Sequence, residues 1–461
     1  MKIINDGSVL EFDRDLFVDL CSRRDVAGIR TLTEDVPPLD LAEFITELPI
    51  EEGTVLFRLL PKEQAAEVFV ELDADVQRAV VELLTDRELS DMMKELYVDD
   101  TVDVLEEMPA NVVKRMIRAS TPETRAQVNS ILRYGKDTAG ALMTTEYVRL
   151  APSFTVGTAL ENIRKVAIDK ETVYTCLVTD EHRKLLGIVT AKRLLISNPD
   201  VKVGDIMQDN IICVHTDEGK EDVAMLFDRY RLIAIPVVDS ENRLVGIITV
   251  DDAMEVLRDE AEEDFAKMAG ITPVERTYLR TSVPRIFLSR IPWLLLLMIS
   301  ATFSSTILNR FEALLPAVLI LFVPMLMDTG GNSGGQTSVT VIRSLSLGEL
   351  EPADLYSVIW KELRVGLLTG GCLGLVAFGK VMLVDRLIMQ NDEVTVLVAL
   401  AVAVALAVTV LISKLIGALL PILARMVKLD PAVMASPFIT TIVDALSLVA
   451  YFFIASAILP A

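Results

Sequence analysis

The chain has little of what soft-metal and nucleophilic chemistry require. Of its 461 residues only two are histidine, His182 and His215, and its four cysteines, Cys21, Cys176, Cys213 and Cys372, show no CxxC or other ligand spacing. That pattern fits a reducing compartment without structural zinc and leaves a transition-metal site poorly supplied. No nucleophile and base stand in a recognisable pattern. The glycine-rich run GGNSGG at 330–335 lacks the lysine of a phosphate-cradling P-loop, so we expect no enzyme. Positive charge is also short: 44 Lys and Arg face 66 Asp and Glu, a net charge of −22. Such acidity argues against nucleic acid or anionic lipid as ligands and favours cations, and plentiful oxygen donors suit Mg²⁺, Ca²⁺ or Mn²⁺. The first twenty residues hold no apolar run but carry Lys2, Asp6, Glu11, Asp13, Arg14, Asp15 and Asp19. The expectation is no secretory leader and a soluble part that stays in the cytoplasm.

What is present is unevenly divided. Residues 291–461 carry 11 acidic and 9 basic side chains, which leaves 55 and 35 for residues 1–290. The weakly charged part contains five apolar spans: Ile286–Leu308, Ala313–Met327, Val365–Val384, Val394–Ser413 with an extension to Ala424, and Val433–Leu459. Basic residues collect before the first span (Arg276, Arg280, Arg285, Arg290), between the second and third (Arg343, Lys361, Arg364) and near the fourth-to-fifth connection (Lys414, Arg425, Lys428). The connections Asn309–Glu312 and Asp385–Glu393 are less basic. The positive-inside rule then gives a multi-pass, lipid-embedded protein of the inner or plasma membrane, its N-terminus cytoplasmic and its C-terminus outside.

Asp444 is the most informative residue of that part. It sits within the last apolar span, where a carboxylate costs roughly 3 kcal/mol and normally faces a protein interior or a water-filled route. Ser436, Thr440 and Asp444 are spaced i, i+4, i+8 and form one helical stripe. The alternative is a buried Asp paired for helix packing, but no Lys or Arg lies within the same span. The second span is short, holds Pro316 and Pro324, and runs into the glycine-rich stretch 328–336. A polar stretch of that kind cannot face lipid and should line a cavity or pore, unless it is an ordinary cytoplasmic loop. If it is helical, Asn332 and Gln336 share a face.

The acidic part is repetitive. Leu48, Leu60, Leu72, Leu84, Leu96 and Met108 recur every 12 residues, with Pro at 49, 61 and 109 directly after them. This period suits one short helix and a turn per repeat, for example Lys62–Glu71 and Ala74–Leu83, stacked into a curved scaffold. A second duplication follows. Ala139-Gly140-Ala141-Leu142-Met143 is echoed by Gly204-Asp205-Ile206-Met207, and Leu186-Gly187-Ile188-Val189-Thr190 by Val245-Gly246-Ile247-Ile248-Thr249. Each unit reads β-α-β-β-α. An acidic run, Asp251 to Asp264, links them to the membrane part; on a helix Glu255, Asp259 and Glu263 share one face, with Glu260 and Asp264 beside them. By itself such a run reads as a solvated face.

GGNSGGQTS after a proline-interrupted span, LDPAVMASPF leading into TTIVDALSL, and the five-span plan resemble the MgtE family of magnesium channels. The β-α-β-β-α duplication resembles a pair of CBS modules. The resemblance implies a multidomain fold: an all-α N-terminal helical repeat domain (1–133), an α/β CBS-domain pair (134–200 and 201–256), a connecting plug helix (257–284), and an all-α transmembrane domain of five helices (285–461). It implies a homodimer with the pore on the two-fold axis. Asp444 would hold hydrated Mg²⁺, helped by Asn332, Ser436 and Thr440, although other members can carry Asn at position 436 and Ala at 440. Mg²⁺ would be both cargo and regulator. Glu95, Asp99, Asp252, Glu255, Glu260, Glu263, Asp264 and Asp430 would form regulatory sites that favour closure at high cytosolic Mg²⁺. CBS pairs also commonly take adenine nucleotides, so ATP is a further ligand, with Tyr174, Thr249 and Asp252 as its residues; Arg193 departs from the nucleotide motif in the first module. Two other readings stay open: a membrane-anchored CBS sensor of divalent cations or nucleotides, and a channel for another divalent cation such as Mn²⁺ or Co²⁺.

Overall fold

The computed structural model describes residues 3–459 apart from 6–7, 11–15, 17–18, 21–22, 24, 34–35, 168–169, 275–277, 279–280, 313–315 and 435. Arg276 and Arg280 therefore lie outside the described residues. The chain divides into two compact units, Met1–Leu257 and Arg258–Ala461.

The first unit opens with a small hairpin, β1 (Ile3–Asn5) and β2 (Ser8–Leu10), and continues as short helices. These are α1 (Val26–Thr33), α2 (Pro38–Glu47), α3 (Ile50–Leu59), α4 (Lys62–Val70), α5 (Ala74–Leu83), α6 (Asp86–Glu95), α7 (Val98–Glu107), α8 (Ala110–Ala119) and α9 (Pro122–Ile131). The 12-residue period is the joint between them. Leu48, Leu60, Leu84, Leu96 and Met108 each end a helix in extended conformation. Where proline follows, its ring disfavours helical geometry in the residue before it and its fixed φ starts the next helix. At Thr85 the same task falls to a capping box with Glu88. Leu60, Leu72, Leu84, Leu96 and Met108 are all buried in one core with Phe57 and Phe69, which is why the joint residue must be apolar.

Two similar α/β modules follow. The first contains α10 (Ala139–Leu142), β3 (Tyr147–Leu150), α11 (Val156–Val166), β4 (Thr172–Thr179), β5 (Leu185–Thr190) and α12 (Ala191–Ile196). The second contains α13 (Val203–Ile206), β6 (Val214–His215), α14 (Lys220–Tyr230), β7 (Ala234–Val238), β8 (Leu244–Thr249) and α15 (Val250–Met268). In each sheet the first strand runs parallel to the second and the third antiparallel to it. The duplicated sequence motifs meet crosswise. Met143 of the first module presses on Gly246 of the second, where a Cβ would lie 2.6 Å from its sulfur, and Met207 presses likewise on Gly187. Glycine in each strand is what permits the close approach.

The second unit contains the end of α15 and five long helices among the described residues: α16 (Val283–Glu312), α17 (Val323–Ser346), α18 (Leu355–Lys380), α19 (Val396–Met426) and α20 (Ser436–Ile458). Among the described residues four stretches are long and apolar enough to cross a membrane: Val283–Arg310, Pro352–Ile388, Val396–Met426 and Pro431–Ile458. The remaining helix, α17, has the length, 24 residues, but carries Asp328, Asn332 and Gln336.

Here the structure differs from the sequence expectation. The second span does not stop at Met327; α17 starts at Val323, with Pro324 in its first turn, and runs through the whole glycine-rich stretch to Ser346. The cytoplasmic-loop alternative for that stretch is thereby excluded. Glycines normally weaken a helix, but here they form a flat face that packs on neighbours. A side chain at Gly417 of α19 would collide with the Gly334 carbonyl of α17, so the two backbones touch. A second difference is at the connecting helix: residues 257–268 are the continuation of α15 rather than a separate element.

Candidate functional site

The membrane site is built around α20. A short turn, Pro431–Met434, precedes it, and Asp430 Oδ1 stabilises that turn by accepting from the Ala432 amide at 2.8 Å. Ser436 opens the helix; its side chain lies outside the described residues. Thr440, one turn on, lies against Gly331 of α17, where a Cβ would come within 3.0 Å of the threonine methyl. Thr441 and Ser300 share a hydrogen bond of 3.0 Å that ties α20 to α16. Asp444 follows one turn beyond Thr440, half-buried, with no opposite charge beside it among the described residues. On α17, Asp328, Asn332 and Gln336 form an exposed i, i+4, i+8 stripe, and Asn332 Nδ2 donates to Asp328 Oδ1 at 3.1 Å. The opposite face, including Gly330, Ser333, Gly334, Thr337 and Ser338, is buried. The close contact of Gly331 with Thr440 thus brings the neighbourhood of Asn332 next to the helix that carries Asp444.

A second constellation lies in the first unit. Asp99 at the start of α7 is buried at 8 % exposure, and its oxygens, with those of Glu146 and Glu171, lie within 4.8 Å of one another. Glu146 accepts from the Val98 amide at 3.4 Å, while Asp99 Oδ1 and Glu171 Oε2 are buried without a hydrogen-bond partner. Asp100, Asp103 and Asp252 crowd the same place. Burial first, and then the neighbouring carboxylates, push Asp99 up to about 6, Asp103 and Asp252 to about 7, and Asp100 and Glu171 to about 8. Asp103 itself retains surface access at the rim. A divalent cation would satisfy the unpartnered oxygens and replace shared protons, and a cluster of three or more carboxylate oxygens suits a hard, oxygen-seeking ion.

The expected regulatory residues therefore fare differently. Asp99 and Asp252 meet. Glu95 stays exposed at the end of α6 and takes no part in the cluster. Glu255 is exposed, near enough to Asp103 to raise its carboxyl, and Glu260 is half-buried further along α15. Glu263 and Asp430 are engaged by a residue the sequence reading passed over: Lys267 donates to Asp430 Oδ2 at 2.6 Å and pairs with Glu263. Burial opposes the charge of Lys267, but its two carboxylate partners outweigh it and raise its pKa. Asp264 accepts from Ser346 Oγ at 2.8 Å, and its partial burial raises its carboxyl.

Comparison with known proteins fixes the lineage. Residues 36–137 match the MgtE intracellular N domain, 139–197 and 203–259 match CBS domains, and 323–454 match the divalent cation transporter family MgtE. The magnesium transporter MgtE of Thermus thermophilus is 36% identical over 443 residues, covering 95% of this chain and 96% of that protein. The chain belongs to the MgtE family. The Bacillus subtilis magnesium transporter MgtE is 30% identical over 439 residues, with 94% of each chain covered. Among solved structures, the cytosolic domain of the Mg²⁺ channel MgtE in complex with ATP is 36% identical, with a TM-score of 0.50 over 52% of this chain and 98% of that one. The soluble part of a magnesium transporter is 27% identical, with a TM-score of 0.51 over 54% and 97%. These relatives are transporters, so the chemistry to explain in an MgtE chain is ion passage and its control rather than catalysis.

For this MgtE chain the nucleotide residues are arranged as follows. Tyr174 on β4 is 66% exposed. Thr249 Oγ1 donates to Asp252 Oδ2 at 2.5 Å, so two of the residues expected for ATP are bonded to each other at the carboxylate cluster. In the first module Thr190 instead caps α12 by accepting from the Arg193 amide at 3.3 Å. The sequence reading also missed Glu146 and Glu171, single acids before β3 and β4 whose partners are distant in the chain. Of the basic residues expected near the fourth-to-fifth connection, Lys414 and Arg425 lie inside α19, as the extension of the fourth span to Ala424 allows for Lys414, which is buried at 6% exposure.

Proposed function

We propose that this MgtE-family protein passes Mg²⁺ through a homodimeric membrane domain whose pore lies on the two-fold axis, and that cytosolic Mg²⁺ closes it. The observation that carries the reading is the exposed Asp328–Asn332–Gln336 stripe on a helix packed against the helix that carries Asp444. Amides and carboxylates at bilayer depth must meet water or protein, and a shared axial path supplies both. Mg²⁺ sheds water reluctantly and is usually held by one or two carboxylates with several waters kept, which matches two symmetry-related Asp444 side chains with Asn332, Ser436 and Thr440 touching the water shell. The Asp99–Glu146–Glu171 cluster, with Asp252 and Asp103, is the regulatory site: without a divalent ion its carboxylates repel, and binding favours the compact, closed state. Glu255, Glu260, Glu263 and Asp264 on α15, with Asp430 bonded to Lys267 of that helix, take part in this control. The N-terminal unit is cytoplasmic and the C-terminus lies outside. ATP is a second cytosolic ligand, seated near Tyr174 and Thr249, a reading supported by the ATP complex of a relative's cytosolic domain.

The test is Mg²⁺ flux into liposomes holding the purified protein, with cytosolic-side Mg²⁺ varied. Asp444→Ala should lower flux by about a hundredfold, the upper end of what loss of a metal-supporting group costs, and native flux should fall as cytosolic Mg²⁺ rises. Equal flux in both proteins would remove Asp444 from the path. Preference for Mn²⁺ or Co²⁺ over Mg²⁺ would reassign the cargo, and absence of flux would favour an anchored sensor.

A further inference from the structure

Two ionisable residues inside the spanning helices, Lys414 of α19 and Glu362 of α18, take no part in the path just described. They are joined through a third helix. Lys414 Nζ donates to Thr337 Oγ1 of α17 at 3.4 Å, and the same hydroxyl donates to Glu362 Oε2 at 3.1 Å. Lys414 and Thr337 are 6% and 4% exposed, and Glu362 is half-buried. Among the described residues no carboxylate pairs directly with Lys414, so the threonine hydroxyl is the bridge between the two charges. Gly366 of α18 leaves room for Leu411 of α19, whose Cδ1 lies 2.8 Å from its Cβ position, and the lysine stem packs beside it at an ordinary 3.7 Å. One turn before the bridge, Gly334 and Gly417 bring the backbones of α17 and α19 into contact. Glycine contacts allow close approach but slide easily, because they offer no side chain to interlock. A hydroxyl that sits between a cation and an anion resists sliding: a shift of α17 by a single residue would leave the buried Lys414 charge without its hydroxyl partner.

We propose that Lys414, Thr337 and Glu362 form a polar clamp that sets the register of α17 against α18 and α19, and so positions Asn332 beside the helix of Asp444. Thr337 lies five residues beyond Asn332 on the same helix, and Gly331 touches Thr440, so a slip at the clamp is felt at the path. The clamp is a positioning device and touches no ion. Its effect on transport rests on the pore reading above; the clamp itself does not.

The experiment uses the full-length protein with two readouts: hydrogen exchange of the α17 amides, which needs no transport, and the ratio of Mg²⁺ to Ca²⁺ flux in liposomes. Thr337→Val keeps the volume and removes the bridge; Thr337→Ser keeps the bridge. The valine variant should exchange roughly tenfold faster in α17, the effect of losing a hydrogen bond to a charged group, and its flux ratio should change, while serine restores both. Glu362→Gln, which keeps an acceptor but not the charge, should give the same signature at smaller size and serves if the valine variant does not fold. Native exchange in the valine variant, or in Glu362→Gln when valine does not fold, overturns the clamp. Faster exchange with an unchanged flux ratio overturns the positioning role. Absence of flux in the native protein removes the pore reading and leaves the clamp to be decided by exchange alone.

Discussion

Carboxylates are set in opposite ways in the two units of this protein. In the membrane unit Asp444 is the one carboxylate of its helix, half-buried, one turn beyond Thr440. In the first unit Asp99, Asp100, Asp103, Glu146, Glu171 and Asp252 are pressed together until burial and mutual repulsion raise most of them towards neutrality. A lone carboxylate can attract a hydrated ion without gripping it, as passage requires. On the function proposed above, a crowded set would exchange protons for a metal ion and change its own stability in doing so, as a sensor requires.

The contrast is broken most severely by dismantling the cluster. The double variant Asp99→Asn with Glu171→Gln should lose about ten- to a hundredfold in Mg²⁺ affinity by calorimetry, and should melt at higher temperature than the native protein in a chelator, because the repulsion is gone. A lower melting temperature in the chelator would mean that the cluster is held by bonds other than those seen.

Changing pH sharpens the contrast less drastically. A carboxyl whose folded pKa is raised binds more protons in the native than in the unfolded state between its two pKa values. Native stability in a chelator is therefore greatest in acid and falls as pH rises from about 4 to about 8, the window between the ordinary carboxylate value of 3.8 and the raised value of Asp100. Mg²⁺, which binds the ionised form, should bind more tightly across the upper half of that window and release protons as it does so. A melting temperature in chelator that rises with pH would refute this sign.

The smallest effect is expected at the ion pairs of Lys267. Lys267→Met removes the cation that engages Asp430 and Glu263. Flux at low cytosolic Mg²⁺ should rise about two- to fivefold, the scale of a partly exposed ion pair; an unchanged curve would make the pair incidental.

Much of the fold was legible because its periods are local. The 12-residue spacing marks joints whose leucines are both helix ends and core, and the paired glycine motifs mark reciprocal contacts between the α/β modules. Asp444 was legible because a charge in an apolar run is conspicuous. Glu146 and Glu171 were not: each is an isolated acid before a strand, and only the fold brings it to α7. Lys414 was grouped with the flanking charges because hydropathy weakens at its position and a lysine near a span's end reads as a flank. The extent of α17 was hidden because glycines and amides score against a helix, and only the packing surfaces of α19 and α20 make one there.

The packing of α17 and α16 also bears on how the protein is made. Helix α16 exposes many apolar side chains, among them Phe287, Leu288, Leu294, Leu295, Met298, Ile299 and Phe303, and it leans chiefly on α20, which is synthesised after α17, α18 and α19. It can wait in lipid for that partner. Helix α17 cannot, since its stripe and its glycine face are poor company for acyl chains until α19 and α20 arrive. The insertion machinery must therefore shelter α17 through the synthesis of more than a hundred further residues, counting from Ser346 to the end of α20 at Ile458. A chain interrupted within that interval would leave a polar helix without a home in the bilayer, a natural target for membrane quality control.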